Sequence, residues 1–159
     1  MVAAQNLSKM FHVRELTDMD VEIVLELCRK NKIFYQYHPP FVTRASILSD
    51  MKALPPGKSY ADKLYVGFFE DGRLAAVMDL ILNYPEEHIA HIGFFMVDVE
   101  KQGLGVGSQI VGDTIAYLRE EVFMKFRLGV DKGNPQSLAF WKKNGFAVVS
   151  EDTYIRMER

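Results

Sequence analysis

The sequence predicts a mixed α/β fold in which a mostly antiparallel sheet carries helices on its faces. Three apolar runs between residues 64 and 97 are joined by turn signals, an amphipathic helical pattern follows a glycine-rich loop, and a half-buried alternating run comes after that helix. The chain has 159 residues, of which 48% are hydrophobic. We therefore expect a single domain over residues 1–159 with a substantial buried core.

The N-terminal part predicts a strand followed by two helices that a loop separates. Phe11–Glu15 alternates apolar and polar residues as a strand does, and Thr17 with Asp20 forms a capping-box pattern before a helix. The apolar face of that helix carries Val21, Val24, Leu25 and Cys28. The aromatic, proline-containing segment Phe34–Phe41 is expected to be a loop, and a short helix should follow from Thr43 to about Leu54.

The middle of the chain predicts an antiparallel meander. Leu64–Phe69 and Leu74–Leu82 are rich in residues that favour strands, and Asp71-Gly72 between them is a strong hairpin signal. Ile89–Val97 is a third apolar run. We expect these three runs to pair as neighbouring strands with a heavily buried middle.

The C-terminal part predicts a parallel crossover and two closing strands. A helical pattern over Gly105–Glu120 is followed by a half-buried strand over Met124–Val130, and the order strand, helix, strand implies a parallel pair. A last helix over Asn134–Asn144 ends at Gly145, a residue that suits a left-handed C-cap. The closing strands are expected at Phe146–Val149 and Tyr154–Met157.

Composition and charge argue against several classes of function. The formal net charge is -2 and no run of about 18 apolar residues occurs, so neither nucleic acid nor a membrane is an expected partner. The first residues lack a secretion signal, and Cys28 is the only cysteine, which together favour a reducing cytoplasm. His88 and His91 have no third ligand nearby, so we assign no metal.

The segment Gln102–Ser108 places three alternate glycines before a predicted helix. Backbone amides at a helix N-terminus attract anions, and glycine lets these amides approach phosphate oxygens closely. The lysine of the nucleoside-triphosphate loop is missing, and Ser108 stands where the dinucleotide fingerprint needs its third glycine. The segment therefore favours a diphosphate, and the alternative is a turn that only packs a helix onto a sheet.

The segment Gln102–Gly107 also fits the pattern Gln or Arg, any two residues, Gly, any residue, Gly or Ala. With this motif the sequence resembles the GNAT superfamily of acetyl-CoA-dependent N-acetyltransferases. Asn134–Phe146, with its Asn, its Ser, an aromatic pair and a final Gly-Phe, resembles the second motif of that family. The resemblance implies acetyl-CoA as cosubstrate, bound where the strand ending near Val97 splays from the strand ending near Asp131. It also implies a small-molecule or peptide amine as acceptor, beside Phe34–Phe41.

The resemblance assigns residues to the cosubstrate. The amides of Phe95, Met96 and Val97 would line it, and one of them would polarise the thioester carbonyl. The diphosphate would be held by the amides of Gln102, Gly103, Leu104, Gly105, Val106, Gly107 and Ser108. The pantetheine or adenosine portion would meet Asn134, Ser137, Phe140 and Lys143. For Phe140 the alternative is core packing, and for Lys143 it is a solvated helix face.

Acetyl transfer needs a neutral amine, and a base in the protein would help to remove its proton. Asp79 is a carboxylate within an apolar strand and is the preferred candidate, His91 is the second, and a structural role is the alternative for each. Trp141 stands where the family often has a tyrosine that protonates the departing sulfur, so Tyr154 or water becomes the candidate acid. This departure leaves a noncatalytic acyl-CoA-binding sensor as the alternative function. The resemblance is also compatible with a homodimer through the apolar terminal strand.

Overall fold

The computed structural model describes residues 1–159 and confirms the mixed α/β class, with one sheet and five α-helices. The strands are β1 His12–Glu15, β2 Lys63–Glu70, β3 Arg73–Leu82, β4 Ile89–Val97, β5 Lys125–Val130, β6 Ala147–Glu151 and β7 Ile155–Glu158. The helices are α1 Val21–Arg29, α2 Lys32–Tyr37, α3 Arg44–Lys52, α4 Val106–Glu120 and α5 Pro135–Lys143. The longest helix has 15 residues, and none combines the length and apolarity that crossing a bilayer requires.

The strands form a single seven-stranded sheet in the order β1-β2-β3-β4-β5-β7-β6. Every neighbouring pair is antiparallel except β4 and β5, which are parallel because α4 crosses between them. Asp71 and Gly72 join β2 to β3 with positive φ angles of 50° and 77°, as a tight hairpin requires. The predicted meander, parallel crossover and closing strands are therefore confirmed.

The two parallel strands diverge after a short paired stretch. Their register covers only Ile89–Ile92 against Lys125–Leu128. Beyond it β4 continues to Val97 and β5 to Val130 without pairing to each other. A gap therefore opens in the middle of the sheet between the C-terminal ends of β4 and β5, and the expected splayed strand pair is present.

A bulge in β4 lies where the gap begins. Asp79 of β3 faces Phe94, whereas the next residue, Leu80, faces Ile92, so Gly93 has no partner. The extra residue reverses the alternation of side chains along β4. Ile92 belongs to the core on one face of the sheet, and Phe94, two residues later, packs against the core on the other face.

Helices cover the two faces of the sheet unequally. On one face α4 and α5 pack over a core of 26 buried residues, which extends from Val13 of β1 to Met157 of β7. On the other face α1 and α3 pack over a core of 11 buried residues, none of which belongs to β5, β6 or β7. On that second face, β5 and β7 are consequently left without a covering helix.

The expectation of a loop over Phe34–Phe41 is wrong in its first part, because Lys32–Tyr37 forms α2. Aromatic side chains of α2 pack against the smaller core, and Phe34 contacts Phe94 edge to face with 5.9 Å between ring centroids. This burial outweighs the middling helix propensity of aromatic residues. The helix ends before Pro39, which disfavours helical backbone in the residue that precedes it. The other predicted helices and strands are found, with ends shifted by a few residues.

Candidate active site

The glycine loop enters α4 through left-handed backbone. Gly103 has a φ of 75°, and Gly105, the N-cap of α4, has a φ of 81°. Residues with a side chain pay about 1 kcal/mol or more to adopt this region. A Cβ atom at either position would have nothing within 4 Å. The loop therefore needs glycine for its conformation, and the space in front of the α4 amides is open to an anion such as a diphosphate.

Gln102 anchors the loop through its side chain. Its Nε2 donates to Asn31 Oδ1 at 2.7 Å and to the carbonyl of Val97 at 2.9 Å. The side chain of Asn31, a residue that is 7% exposed, donates to the same carbonyl at 3.3 Å. These bonds tie the end of α1, the last residue of β4 and the start of the loop together. The side chain of Gln102 therefore bonds inside the protein, and its backbone amide also has a partner, the carbonyl of Val99 at 3.3 Å. The prediction that the Gln102 amide holds the diphosphate is therefore not supported, and the amides of Gly103–Ser108 remain the candidates.

A cavity of about 390 Å³, here called the loop cavity, lies between the glycine loop, β4 and α5. Eleven of the residues predicted to meet the cosubstrate line it, namely Phe95, Met96, Val97, Gln102, Gly103, Gly105, Gly107, Ser108, Ser137, Phe140 and Lys143. Leu104, Val106 and Asn134 do not line it. Leu104 instead projects from the loop with 72% of its surface exposed. The structure thus brings most of the predicted set around one space, and contact with the cosubstrate stays a prediction.

The open edge of β4 supplies backbone donors to the loop cavity. Asp98, directly after β4, donates its amide to the carbonyl of Ala75 in β3 at 2.8 Å. Because amides alternate in direction along a strand, the Met96 amide also faces β3, whereas those of Phe95 and Val97 face the gap beside β5. Of the three amides predicted to polarise a carbonyl, strand geometry therefore leaves Phe95 and Val97 as candidates.

Helix α5 forms the opposite wall of the loop cavity. Asn134 caps it, accepting from the Ser137 amide at 3.2 Å and donating to Ser137 Oγ at 3.0 Å. Phe140 and Trp141 pack edge to face with 5.0 Å between ring centroids. A Cβ atom on Gly107 would lie 2.9 Å from Phe140 Cε1. The third glycine of the loop is therefore required for the close approach of α4 to α5.

A second cavity of about 470 Å³, here called the sheet cavity, includes residues of β4, β5 and β7 on the face that carries the smaller core. All three predicted catalytic residues line it, namely Asp79, His91 and Tyr154. Four residues line both cavities, namely Phe34, Phe95, Ser137 and Trp141. The cavities consequently meet beside the gap between β4 and β5, so molecules bound in each can touch there.

Asp79 forms a largely buried ion pair. Lys63 Nζ lies 3.0 Å from Asp79 Oδ2, and the lysine side chain is 4% exposed. The same ammonium donates to the carbonyls of Asp50 and Ala53, each at 2.9 Å. Burial raises the pKa of Asp79, and Lys63 opposes that rise. Asp79 Oδ1 has no hydrogen-bond partner, so one carboxylate oxygen is free to accept a proton.

His91 is neutral at pH 7. Burial lowers the pKa of its imidazole to about 4, and the charges of Arg127 and Arg156 add to the shift. The ring packs edge to face on Tyr84 with 5.5 Å between centroids, and Nδ1 has no hydrogen-bond partner. An imidazole with this pKa is no stronger a base than an ordinary carboxylate. The structure therefore favours Asp79 over His91 as the proton acceptor.

Tyr154 lies in the turn between β6 and β7 and is 43% exposed. Its Cβ is 3.4 Å from the position that a Cβ atom on Gly129 would take, at the edge of the sheet cavity. Tyr154 does not line the loop cavity, whereas Trp141 lines both. A proton from Tyr154 would therefore have to reach the gap from the side of the sheet cavity.

Comparison with protein families decides the class of this site. The model of the Acetyltransferase (GNAT) family matches residues 28–146, a stretch that contains the glycine loop, α5 and the four residues shared by the cavities. The chain belongs to this family. As a GNAT protein it is an acetyltransferase, and acetyl-CoA is its cosubstrate.

Solved GNAT structures share the fold at low sequence identity. PaiA N-acetyltransferase from Thermoplasma acidophilum, in complex with coenzyme A, is 20% identical, with a TM-score of 0.71 over 92% of this chain and 96% of that chain. An acetyltransferase from Thermus thermophilus is 20% identical, with a TM-score of 0.80 over 92% and 94%. The ribosomal-protein-S18-alanine N-acetyltransferase from Escherichia coli is 16% identical, with a TM-score of 0.65 over 92% and 90%. No curated protein matches the sequence significantly.

Several residues of this GNAT site were missed by sequence reasoning. Gly93 is an isolated glycine inside a strand pattern, which is a usable signal for a bulge. Phe34 was expected beside the acceptor as part of Phe34–Phe41, but not as a helical residue that also lines the loop cavity. Lys63 and Asn31 are buried polar residues at the ends of elements, where a polar residue normally indicates exposure. Only the sheet order and the packing of α1 reveal their partners.

Proposed function

We propose that this GNAT protein transfers the acetyl group of acetyl-CoA to a primary amine by direct attack, with both substrates bound at once in a single domain over residues 1–159. The meeting of the loop cavity and the sheet cavity carries the proposal. One cavity begins at a diphosphate-binding loop and the other contains a buried carboxylate. A covalent acyl-cysteine intermediate is not part of this proposal. Cys28 is the only cysteine and lines neither cavity. Burial also raises the pKa of its thiol to about 11, which disfavours the reactive thiolate.

The loop cavity supports this role through its donors. Acetyl-CoA, when bound, supplies an acyl thioester. The amides of Gly103–Ser108 hold its diphosphate, and the positive end of the α4 dipole strengthens the attraction. The amide of Phe95 or Val97 donates to the thioester carbonyl across the gap. The pantetheine and adenosine portions contact Ser137, Phe140 and Lys143, and Asn134 positions α5 as its cap.

The sheet cavity supports proton removal from the amine. A lysine-like ammonium has a pKa of about 10.4, so keeping it neutral at pH 7 costs about 5 kcal/mol. Asp79 accepts this proton at its free Oδ1, directly or through a water, and burial makes it a better base than an exposed carboxylate. Lys63 fixes the carboxylate through Oδ2. Tyr154 or water returns a proton to the departing sulfur, which a thiol pKa of about 8.5 makes a tolerable leaving group.

Amine-dependent release of free thiol tests the proposal. Acetyl-CoA is incubated with the protein and a panel of primary amines, and binding of acetyl-CoA is measured in parallel by calorimetry. We expect release that requires an amine, and we expect Asp79→Asn to lower turnover about a hundredfold with acetyl-CoA binding unchanged. Glu26→Gln, which changes an exposed carboxylate on α1, is the matched control and should behave as wild type. Binding of acetyl-CoA without release for any amine would instead support the noncatalytic sensor.

A further inference from the structure

The sheet cavity carries opposite charges at its two ends. Asp79 and Asp131 lie at the end near the gap, and Asp131 is held by His38 Nδ1 at 3.0 Å. Arg127 lies at the other end, where β4 and β5 are still paired, and Arg156 of β7 lies opposite the residue of β5 that is midway between Arg127 and Asp131. The end where an amine would meet the thioester is therefore acidic, and the far end is basic.

The two arginines of the sheet cavity form no ion pair, although the charge of Arg156 contributes to lowering the pKa of the exposed Asp152. None of the ion pairs in the structure involves Arg127 or Arg156. Arg127 Nε is buried and has no hydrogen-bond partner. Buried donors of charged groups are nearly always paired in native proteins, because leaving them unpaired is unfavourable. Two unpaired guanidinium groups in one cavity thus indicate a place for an anion.

The sheet geometry lets both guanidinium groups reach the same ligand. Arg156 pairs with Gly129, which is two residues from Arg127 along β5, so both arginines project from one face. Diagonal neighbours of this kind are about 7 to 8 Å apart at Cα, within reach of long side chains. Gly129 carries no side chain, and Tyr154 lies over it, with its Cβ 3.4 Å from the position that a Cβ atom on Gly129 would take. Both arginines also help to lower the pKa of His91, which is consistent with their lying near that ring from β5 and β7.

We infer that the acceptor is a small amine that also carries an anionic group, bound with its amine beside Asp79 and its anion between Arg127 and Arg156. The inference rests on the proposed acetyl transfer and names the class of its acceptor. A cavity of about 470 Å³ suits a molecule of amino-acid size. Guanidinium groups recognise carboxylates and phosphates with paired, charge-assisted hydrogen bonds, so amino carboxylates and amino phosphonates are the two forms of this chemistry.

Matched acceptors and variants test the inference. Straight-chain ω-amino carboxylates and ω-amino phosphonates of increasing length are each compared with the alkylamine of the same length, by amine-dependent thiol release. We expect kcat/KM of an anionic acceptor to exceed that of its alkylamine about tenfold or more. Arg127→Gln and Arg156→Gln should each reduce this ratio towards unity by raising the KM for the anionic acceptor. Arg127→Lys, which keeps the charge but loses the planar fork, should keep part of the ratio.

Arg73→Gln is the control for these substitutions, because Arg73 is an exposed arginine at the hairpin between β2 and β3 and should leave the ratio unchanged. Equal kcat/KM values for anionic and neutral amines, or a preference that survives both glutamine variants, would overturn the inference while leaving acetyl transfer intact. If no amine releases thiol, acetyl transfer is contradicted instead. Calorimetric titration with the amino carboxylate then tests the arginine site separately. Binding to the wild type that Arg156→Gln abolishes supports the site, and the absence of binding to the wild type overturns it.

Discussion

Asp79 and His91 lie in the same cavity, and burial shifts their pKa values in opposite directions. The pKa of the carboxyl rises and that of the imidazole falls, because in each case the low-dielectric surroundings disfavour the charged form. Lys63 limits the shift at Asp79 by pairing with one of its oxygens. The result is a carboxylate with a free oxygen beside an uncharged imidazole, and only the former is suited to receive a proton from an ammonium.

The lowered pKa of His91 predicts a loss of stability in acid. The pKa of histidine is 6.5 when unperturbed and about 4 here, so between these values the unfolded chain binds more protons than the folded one. Stability therefore falls as the pH drops through this window, by about 2 kcal/mol between pH 7 and pH 4.5. Urea unfolding at pH 7 and pH 4.5 should show that the free energy of unfolding falls by about 2 kcal/mol less in His91→Gln than in wild type. Identical pH dependence in the two proteins would show that His91 titrates normally in the folded state.

At the scale of single elements, α5 shows how one helix serves both cavities. Its cap at Asn134 fixes the start of the helix, and Phe140 packs against the glycine loop. Trp141 is 8% exposed and packs against Phe95 and Phe146 with 5.9 and 5.1 Å between ring centroids. The indole thus fills the wall that the two cavities share, where the related family pattern often has a tyrosine.

This position predicts that Trp141→Phe keeps most of the acetyl-transfer activity. The indole is no useful acid, so the substitution removes packing volume rather than a proton donor. We expect a loss of about 1 to 2 kcal/mol in the free energy of unfolding, measured with urea, and only a modest change in turnover. A fall in turnover beyond about a hundredfold, with the fold intact by circular dichroism, would show that Trp141 takes part in the chemistry.

Elements with local signals could be predicted from the sequence, and those that depend on distant contacts could not. The capping box at Thr17 and the turn at Asp71 are built by neighbouring residues, and both are present. Helix α2 exists because of packing against β4, which the sequence does not display, and the bulge at Gly93 depends on pairing with β3, of which the isolated glycine is only an indirect signal. Sequence reasoning failed at these two elements for that reason.

The candidate site also divides into residues that local motifs predict and residues that only distant contacts bring together. The residues around the loop cavity come from two compact motifs, so recognising the motifs placed most of them together. The sheet cavity is assembled from β3, β4, β5 and β7, and only the strand order brings Arg127 and Arg156 to the same face. Asp79 could be predicted because a carboxylate within an apolar strand stands out, whereas the joint position of Arg127 and Arg156 cannot be derived from either segment alone.

At the scale of the whole molecule, function depends on two departures from a regular sheet. The strands β4 and β5 part after four paired residues, and the helices of the smaller core leave β5 and β7 uncovered. The first departure opens the loop cavity and the second opens the sheet cavity. The terminal strand β7, where a homodimer interface was expected, is paired on both sides by β5 and β6, and the exposed strand at that edge of the sheet is β6. The homodimer stays a prediction.

The glycine loop is expected to hold the diphosphate of coenzyme A, and a matched pair of glycines tests this role. Gly105 and Gly57 both have a φ of 81° and nothing within 4 Å of a Cβ position, so alanine introduces about the same strain at each. Gly57, between α3 and β2, lines neither cavity. In calorimetric titrations with coenzyme A, we expect Gly105→Ala to weaken binding about tenfold or more and Gly57→Ala to bind as wild type does. Equal affinity in all three proteins would contradict the account.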